Sequence, residues 1–468
     1  MLQKLLFPLI FFVPFVLQAQ YCEADREPDR REVDTTVKNI KDYFLHGHIN
    51  GHFRNYFMST INKGDLTDHY ANAIGGSLAY STASWKGFHF GVKGIFSYNL
   101  YSSQLAGKDS TIAPAVWEVE LFDILHPSKK NDLDRLEELY FAYEGKRFEA
   151  RIGKIDIDEG PLLKRRDGRM KPFVYKGLWT QVKIGKHGEL YNGVVTGVSP
   201  RGMTEWYHLN EAIGLLPSGL LNDSTHYEYH EKANTLGLLV NGYQTEFKEH
   251  FHLQIWNYYL HHIQNTTWTQ LEFGKGRFGF GLQYVFQLSD PYQNTLEEQH
   301  RYFDPSHTSN TLAGQVKFKL NDAIRIRAAH LSLIGEGRFA FPREITREDF
   351  YTSIPRAWLD GLGKSHVSLF EVSLNPFRKV RDDFQINLQC QYSNGPDHDS
   401  HQYNKYNDPD FLQVNFGTKY NFVGKFEGLH LNLLYIMRYS DIPETMAFED
   451  QYYRTNLHHF NVIVDIVF

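Results

Sequence analysis

The feature that most constrains this chain is a series of short segments in which apolar and polar residues alternate. In one of them Phe278, Phe280, Leu282, Tyr284 and Phe286 alternate with glycine, glutamine and valine. A period of two places one face of an extended strand against an apolar environment and the other against water. Eighteen such segments follow one another, at 47–60, 72–83, 88–101, 135–144, 147–154, 174–183, 190–198, 232–242, 249–260, 267–274, 277–287, 310–320, 324–332, 365–375, 383–393, 410–422, 428–438 and 456–468. No convincing helical stripe interrupts them, so an all-β fold is predicted.

The spacers between these segments alternate in length. Short spacers lie at 84–87, 145–146, 184–189, 243–248, 275–276, 321–323, 376–382 and 423–427. Long spacers lie at 102–134, 155–173, 199–231, 288–309, 333–364, 394–409 and 439–455, and 261–266 is the exception that is itself short. Such an arrangement is typical of a transmembrane antiparallel β-barrel with long extracellular loops and short periplasmic turns. We therefore predict a barrel of about 18 strands over residues 47–468.

Composition excludes several other classes of protein. The longest apolar run, Leu5–Leu17, contains two prolines and is shorter than the roughly 20 residues that a helical span needs. Two cysteines in 468 residues exclude a disulfide scaffold. The 49 Lys and Arg residues do not outnumber the 55 Asp and Glu residues. The chain therefore lacks the excess of positive charge that is typical of nucleic-acid-binding proteins. The mean hydropathy of −0.46 fits a barrel, because only alternate residues meet lipid.

The N-terminus carries an export signal. Lys4, the apolar run after it and the exit at Ala19 predict a secretory signal peptide over residues 1–20. An N-terminal periplasmic segment at 21–46 would follow. Cys22 lies close to the cleavage site, but Tyr21 precedes it where lipoprotein processing needs a small residue. Cleavage without lipidation is the favoured interpretation.

The C-terminus carries a second signal. Phe460, Val462, Val464, Ile466 and Phe468 share one face of the last segment. An aromatic C-terminus on an amphipathic strand resembles the insertion signal of outer-membrane proteins. The predicted location is the outer membrane of a Gram-negative bacterium. The predicted partners there are membrane lipid, lipopolysaccharide and the outer-membrane assembly machinery, which Phe468 would contact.

The long spacer 155–173 is strongly basic. Its cations are Lys164, Arg165, Arg166, Arg169 and Lys171. One interpretation is a solvated surface or a patch that binds lipopolysaccharide. The other is a loop folded into the pore, where low-dielectric walls focus its field on passing anions.

A hairpin carries a second basic cluster. Lys317 and Lys319 share the polar face of one segment, and Arg325 and Arg327 share that of the next. A three-residue turn at Asn321–Ala323 would pair Lys319 with Arg325 and Lys317 with Arg327. Like charges across a ladder cost about 0.2–1 kcal/mol per pair, so a patch without visible acidic partners would serve a ligand. The alternative is that lumen carboxylates such as Glu371 or Asp465 neutralise it.

Catalytic and metal-binding motifs are weak or absent in the sequence. Gly363-Lys364-Ser365 is half a P-loop without its first glycine, and neither HExxH nor GxSxG occurs. Asp397, His398 and His401 could hold a metal, but a solvated loop is the simpler interpretation. We therefore predict no enzyme, no cofactor and no metal site.

A family resemblance appears around the basic loop. The runs Arg151–Lys154, Gly160–Pro172 and Tyr175–Gly177, together with Gly51–Phe57, resemble the OprD family of substrate-specific outer-membrane porins. The resemblance implies an eighteen-stranded barrel with inward-folded loops and an arginine and lysine ladder that guides carboxylate-bearing solutes. Asp156–Glu159 is more acidic than that family's pattern. The predicted pore-lining residues are Arg54, Arg151, Lys164, Arg165, Arg166, Arg169, Lys171, Lys317, Lys319, Arg325 and Arg327.

The sequence thus predicts a passive porin for small anionic or zwitterionic solutes such as amino acids, short peptides or organic acids. It would act as a monomer or a loose trimer. Two other classes stay open at this point. One is an outer-membrane barrel enzyme of the hydrolase type, and the other is a secreted all-β protein that binds carbohydrate or mediates adhesion.

Overall fold

The computed structural model describes residues 37–106, 116–165, 168–247, 250–377 and 383–468. The predicted signal peptide, Cys22 and Arg166 lie outside these residues. Within the same ranges, no helix is both long enough and apolar enough to span a membrane.

Nineteen strands of the described residues form a single antiparallel sheet. They are β1 (His48–Asn62), β2 (His69–Ser81), β3 (Phe88–Ser102), β4 (Leu133–Glu144), β5 (Phe148–Ile155), β6 (Val174–Ile184), β7 (Gly188–Ser199), β8 (Tyr207–His208), β9 (Leu238–Phe247), β10 (Phe251–Leu260), β11 (Gln264–Lys275), β12 (Phe278–Ser289), β13 (Thr308–Lys319), β14 (Ile324–Ile334), β15 (His366–Leu374), β16 (Phe384–Asn394), β17 (Phe411–Asn421), β18 (Leu429–Tyr439) and β19 (Leu457–Val467). Strand β8 has only two residues, and β7 pairs directly with β9 beside it. Because β1 pairs with both β2 and β19, the remaining eighteen strands close into a barrel. The predicted fold is confirmed.

The apolar and polar residues that alternate in the sequence lie on opposite faces of the barrel wall. On β12, Phe280 and Leu282 are 48% and 50% exposed, whereas Gln283 is 1% exposed. The exposed residues point away from the barrel, since Gln283 hydrogen-bonds to a loop inside it. The apolar face is therefore the outer one, as predicted.

Some boundaries differ from the predicted ones. The segment predicted at 232–242 begins too early, because residues 232–237 belong to a loop in which the Thr235 amide donates to the Asn210 side chain at 3.1 Å. Two short helices, α1 (Ile40–Leu45) and α2 (Leu209–Ala212), were not predicted. Helix α1 is capped by the Asn39 side chain, which accepts hydrogen bonds from the amides of Lys41 and Asp42.

Both described ends of the chain lie beside the short turns. The Ala83 amide, in the turn after β2, donates to the Tyr43 carbonyl at 3.1 Å. At the closing seam, the Gly51 amide donates to the Phe468 carbonyl at 2.7 Å. The long loops consequently all leave the opposite end of the barrel.

Among the described residues, two clusters of buried apolar side chains lie inside the barrel. The larger one joins wall residues such as Trp256 and Tyr258 to Leu162 and Phe341 of two loops. The smaller one joins β1 and β19 to Trp117, Met170 and Tyr453, which also belong to loops, among other residues. Long loops therefore enter the barrel and pack against the inner face of its wall.

Candidate pore and constriction

The loop between β5 and β6, residues 156–173, begins against β10. Leu162 and Leu163 are 0% and 1% exposed. The Leu162 amide donates to the Tyr258 hydroxyl at 3.4 Å, and the Leu162 carbonyl accepts from the Thr346 hydroxyl. Gly160 has φ 76°, and a Cβ there would lie 2.5 Å from the Tyr258 hydroxyl. The loop can approach β10 this closely only because that residue is glycine.

The same loop ends against β1. The Arg54 guanidinium donates to the Arg169 carbonyl at 2.6 Å, and Met170 belongs to the apolar cluster of β1 and β19. In the order of the wall, β10 lies eight strands from β1, which is nearly half of the circumference. A loop that contacts both strands crosses the lumen.

Glu120, in the loop between β3 and β4, forms an ion pair with the part of the β5–β6 loop that lies near β1. Its carboxylate lies 2.9 Å from Arg169 and 3.1 Å from Arg201. Burial alone would raise the pKa of Glu120, but the two guanidiniums hold that pKa at about 2. The carboxylate is therefore ionised throughout the physiological range, so it fixes Arg169 as part of the loop's support.

A second loop, residues 335–365, follows the inner wall. Its carbonyls accept hydrogen bonds from inward-facing glutamines, including Gln287 to Ala340 at 2.8 Å and Gln413 to Pro355 at 2.7 Å. The sequence pattern did not predict that this loop lies in the lumen. A signal was present, because it carries Phe339, Phe341, Phe350, Tyr351 and Trp358, which a solvated extracellular loop has no reason to carry.

The basic hairpin has the predicted register. Lys317 lies opposite Arg327, and Lys319 lies opposite Arg325. These four residues share the inward face with the buried Gln315. The prediction from the three-residue turn is confirmed.

The expectation that this patch lacks acidic partners is wrong. Lys317 lies 3.6 Å from Glu272, and Lys319 lies 2.7 Å from Asp322. Arg327 lies 2.7 Å from Glu371, which is one of the two carboxylates that the alternative named. These carboxylates come from other strands or from the turn, so the alternation within β13 and β14 did not reveal them.

The other named carboxylate, Asp465, serves a different cation. It is 0% exposed and lies 2.6 Å from Arg54 across the closing seam. His52 is 3.0 Å from the same carboxylate. Asp465 is thus part of the seam between β1 and β19 and not of the hairpin.

The cations of the basic loop and Arg54 of β1 differ in exposure. Arg54, Arg169 and Lys171 are 3%, 1% and 0% exposed. Lys164 and Arg165 are half-buried.

The acidic stretch Asp156–Glu159, at the start of the loop, supplies ion-pair partners for some of the partly buried cations. Arg165 lies 2.7 Å from Asp156, and Arg151 lies 3.2 Å from Glu159. The acidic residues that depart from the OprD pattern therefore form ion pairs with nearby cations of the loop and of β5.

Three arginines of other loops near Glu120 were missed: Arg201 and Arg356 are buried, and Arg347 is half-buried. Arg356 is 1% exposed and lies 3.1 Å from His459 of β19. Isolated arginines in long loops give no periodic signal, so the sequence offered no means of finding them.

The possible metal ligands in the loop 395–410 have other contacts. His398 lies 3.3 Å from the Thr445 hydroxyl, and His401 lies 3.3 Å from the Ser224 hydroxyl. Within the described ranges, no three His, Cys, Asp or Glu side chains are grouped so that they could hold a metal.

The sequence matches no protein-family model and no curated protein. The fold is similar to those of solved Occ channels of the OprD family. OccAB4 of Acinetobacter baumannii is 13% identical with a TM-score of 0.67, over 90% of this chain and 98% of that one. OccK8 (OprE) of Pseudomonas aeruginosa is 14% identical with a TM-score of 0.67, over 91% and 99%. OpdK of P. aeruginosa, solved with vanillate, is 12% identical with a TM-score of 0.64, over 91% and 99%.

These similarities extend over almost the whole of each chain. They show that this chain has the fold of the OprD-type porins, and at the level of the fold they confirm the resemblance seen around the basic loop.

Proposed function

We propose that this chain, which has the fold of the OprD-type porins, is a passive outer-membrane channel selective for small carboxylate-bearing solutes, such as amino acids, short peptides or organic acids. The observation that carries the proposal is a closed barrel whose lumen is crossed by a loop and whose inner wall bears a row of cations. An eighteen-stranded barrel is wide enough for an aqueous channel, so selectivity requires such a narrowing.

The hairpin cations act as a guide for anions at the end of the barrel that carries the short turns. The side chains of Lys317, Lys319 and Arg327 are 19%, 28% and 15% exposed. Their ion pairs, with Glu272 and Glu371 of the wall and with Asp322 of the turn, are partly buried and remain partly accessible to water. A solute carboxylate that reaches these cations competes with Glu272, Asp322 and Glu371 for them.

The cations of the loop, together with Arg54 of β1 and Arg151 of β5, divide into two roles. Lys164, Arg165 and Arg151 keep some exposure and line the constriction. Arg54, Arg169 and Lys171 are buried and position the loop. Breaking a buried ion pair costs about 3–5 kcal/mol, so the loop keeps its place while solutes pass.

The solved OpdK complex supports the class of solute. Vanillate, present in that structure, bears a carboxylate. We extend this chemistry to the present chain because its partly exposed lumen cations are suited to bind carboxylates.

Single-channel recording in planar bilayers tests the proposal. We expect stepwise conductance, a preference for anions, and a current that millimolar benzoate reduces and neutral mannitol does not. Lys164→Glu should weaken the effect of benzoate. The matched control is Lys86→Glu, which makes the same charge change in an exposed turn. Absence of conductance from protein shown to be inserted would refute the proposal.

A further inference from the structure

The short turns at the periplasmic end of the barrel repeat one small motif, in which an aromatic residue is next to a lysine or an arginine. Four such pairs lie in or beside described turns, namely Trp85-Lys86, Arg147-Phe148, Arg277-Phe278 and Lys425-Phe426. The sequence of two further short turns repeats the motif as Phe247-Lys248 and Phe377-Arg378. Most of the short turns therefore carry it, and we call each copy a turn pair.

The aromatic members of the described turn pairs lie on the outer side of the rim. Phe278 begins β12 and shares its outward face with the exposed Phe280. Trp85, Phe148, Phe278 and Phe426 are 41%, 42%, 54% and 64% exposed. Outer-membrane barrels carry girdles of such rings where the apolar layer of the membrane meets the headgroups. The turn pairs are therefore expected at the level of the lipid headgroups.

The cationic members have no acidic partner in the described part of the chain. Lys86, Arg147, Arg277 and Lys425 are exposed, and none of them makes an ion pair with another described residue. The amine of Lys86 lies 5.9 Å from the centre of the neighbouring Trp85 ring. Lysine and arginine that lie close to an anionic membrane surface are attracted to it. These four cations are thus available to an anionic partner from outside the chain.

Helix α1 adds to this surface from the outer side of the wall. The Tyr80 hydroxyl donates to the Phe44 carbonyl, and a Cβ on Gly47 would lie 2.6 Å from the Tyr80 ring. Tyr80 faces outward with Leu78, which is 59% exposed and two residues earlier in β2. The helix therefore lies on the lipid side of the rim, where Phe44 is 52% exposed and Lys41 is exposed.

The opposite end of the barrel has the opposite charge. In the described parts of the long loops, exposed carboxylates outnumber exposed amines and guanidiniums, and they include Asp223, Glu297, Asp397 and Asp441. An excess of exposed cations is found only where the short turns lie. This asymmetry indicates an anionic partner on the periplasmic side of the membrane.

We propose that the periplasmic rim, formed by the turn pairs and α1, binds anionic phospholipids such as phosphatidylglycerol in the periplasmic leaflet. The aromatic ring contacts the glycerol and upper acyl region, and the lysine or arginine beside it binds the lipid phosphate. The rings are continuous with the apolar outer face of the wall, which favours a lipid over a soluble anion. The proposal does not depend on the solute that passes through the pore.

Trp85 serves as a natural reporter for this surface. Among the tryptophans, which all lie in the described residues, it alone is exposed. The full-length protein is placed in phosphatidylcholine vesicles, and a rising fraction of the lipid is replaced by phosphatidylglycerol or phosphatidylcholine brominated near the headgroup. The signal of Trp85→Phe is subtracted. We expect phosphatidylglycerol to reach half-quenching at an about fivefold lower fraction than phosphatidylcholine.

A variant without the cations of the described turn pairs tests their role. It combines Lys86→Gln, Arg147→Gln, Arg277→Gln and Lys425→Gln, and we expect its two quenching curves to coincide. The control removes four exposed cations at the opposite end of the barrel, through Lys63→Gln, Lys129→Gln, Lys232→Gln and Lys364→Gln. This control should keep the preference for phosphatidylglycerol.

Three outcomes would overturn the proposal. The first is equal quenching by the two lipids in the unchanged protein. The second is a preference that survives the four substitutions in the turn pairs, because the cations would then not cause it. The third is equal quenching together with sedimentation of the detergent-solubilised protein on purified peptidoglycan, lost in the same variant, because the rim would then bind the cell wall.

A fluorescent label tests the position of α1 separately. With Cys22 and Cys390 replaced by serine, the label is attached through Leu45→Cys, at a position that is 66% exposed. We expect lipid with a nitroxide near the headgroup to quench this label more strongly than iodide in the buffer does. The same label at Asn222→Cys, in an exposed long loop, should show the reverse order. Quenching of the Leu45 label by iodide alone would contradict the placement of α1 in the lipid-binding rim.

Discussion

Arg54 is the residue that connects the closing seam to the constriction loop. Its guanidinium pairs with the buried Asp465 and donates to the Arg169 carbonyl. Arg54→Ala would leave the buried Asp465 without its guanidinium partner, so we expect a loss of about 3–5 kcal/mol in the free energy of unfolding. We also expect higher conductance, since the loop loses an anchor. Urea titration in lipid vesicles and bilayer recording measure the two effects.

A matched control for this variant is Arg147→Ala, in the exposed turn after β4. It removes the same charge without breaking a buried pair, so a change within about 0.5 kcal/mol is expected. Equal losses from both variants would contradict the role assigned to Arg54.

Glu118 gives the protein a pH-dependent contribution to stability. It is 0% exposed and accepts hydrogen bonds from the hydroxyls of Thr60 at 2.6 Å and Tyr453 at 3.0 Å. Burial raises the pKa of Glu118 to about 7. The folded state therefore binds a proton that the unfolded state releases at lower pH, so this contribution is full at low pH and is lost as pH rises through 7.

The variant Glu118→Gln removes this titration. We expect the thermal midpoint of the unchanged protein to fall more between pH 5 and pH 8 than that of the variant. Other titrating groups are common to both proteins, so the difference isolates Glu118. Parallel pH profiles would show that Glu118 does not titrate in this range.

At the scale of elements, the β13–β14 hairpin is expected to set the ion preference. Replacing Arg325 and Arg327 together by alanine removes two lumen cations and leaves Glu371 without Arg327. The reversal potential in a KCl gradient should therefore move toward cation selectivity, with assembly unchanged. The control is the pair Lys275→Ala, at the exposed end of β11, and Arg277→Ala, in the exposed turn after it. An equal shift from the control would assign the effect to overall charge.

Substitutions in strand β12 test which face of the barrel wall contacts lipid. Leu282 is the fifth of its twelve residues, and Phe280 is the third and lies nearer the turn. Leu282→Arg should destabilise the barrel by about 2–4 kcal/mol if it lies near the midplane, and Phe280→Arg by less. Folding titrations in vesicles measure both. A smaller cost at Leu282 than at Phe280 would contradict this placement of the strand.

At the scale of the whole molecule, the constriction depends on a loop that is supported from both sides. Deleting Leu163–Met170 removes the part of the loop that follows the β10 contact at Leu162, including the β1 contacts of Arg169 and Met170. We expect a larger single-channel conductance, because the lumen loses its crossing. Unchanged conductance in inserted protein would remove this loop from the mechanism and leave the hairpin as the selective element.

The local pattern of the sequence predicted the wall. Alternation along β12 gave its two faces, and the three-residue turn at Asn321–Ala323 gave the pairing of Lys317 with Arg327. Both depend on neighbours within a few residues, and each strand meets the same two environments along its length. The strand count and the side of the long loops followed for the same reason.

The sequence did not predict which cations are buried or which loops fill the lumen. Arg54 meets Asp465 across 411 positions, and Thr346 meets Leu162 across 184. The environment of a wall residue follows from the two-residue repeat of its strand. A loop residue acquires its partners only when the barrel closes around it. The sequence by itself therefore determined the barrel and its two faces. Only the tertiary structure decided the crossing loop, the buried arginines and the carboxylates that accompany the hairpin, because these contacts join residues that no local pattern relates.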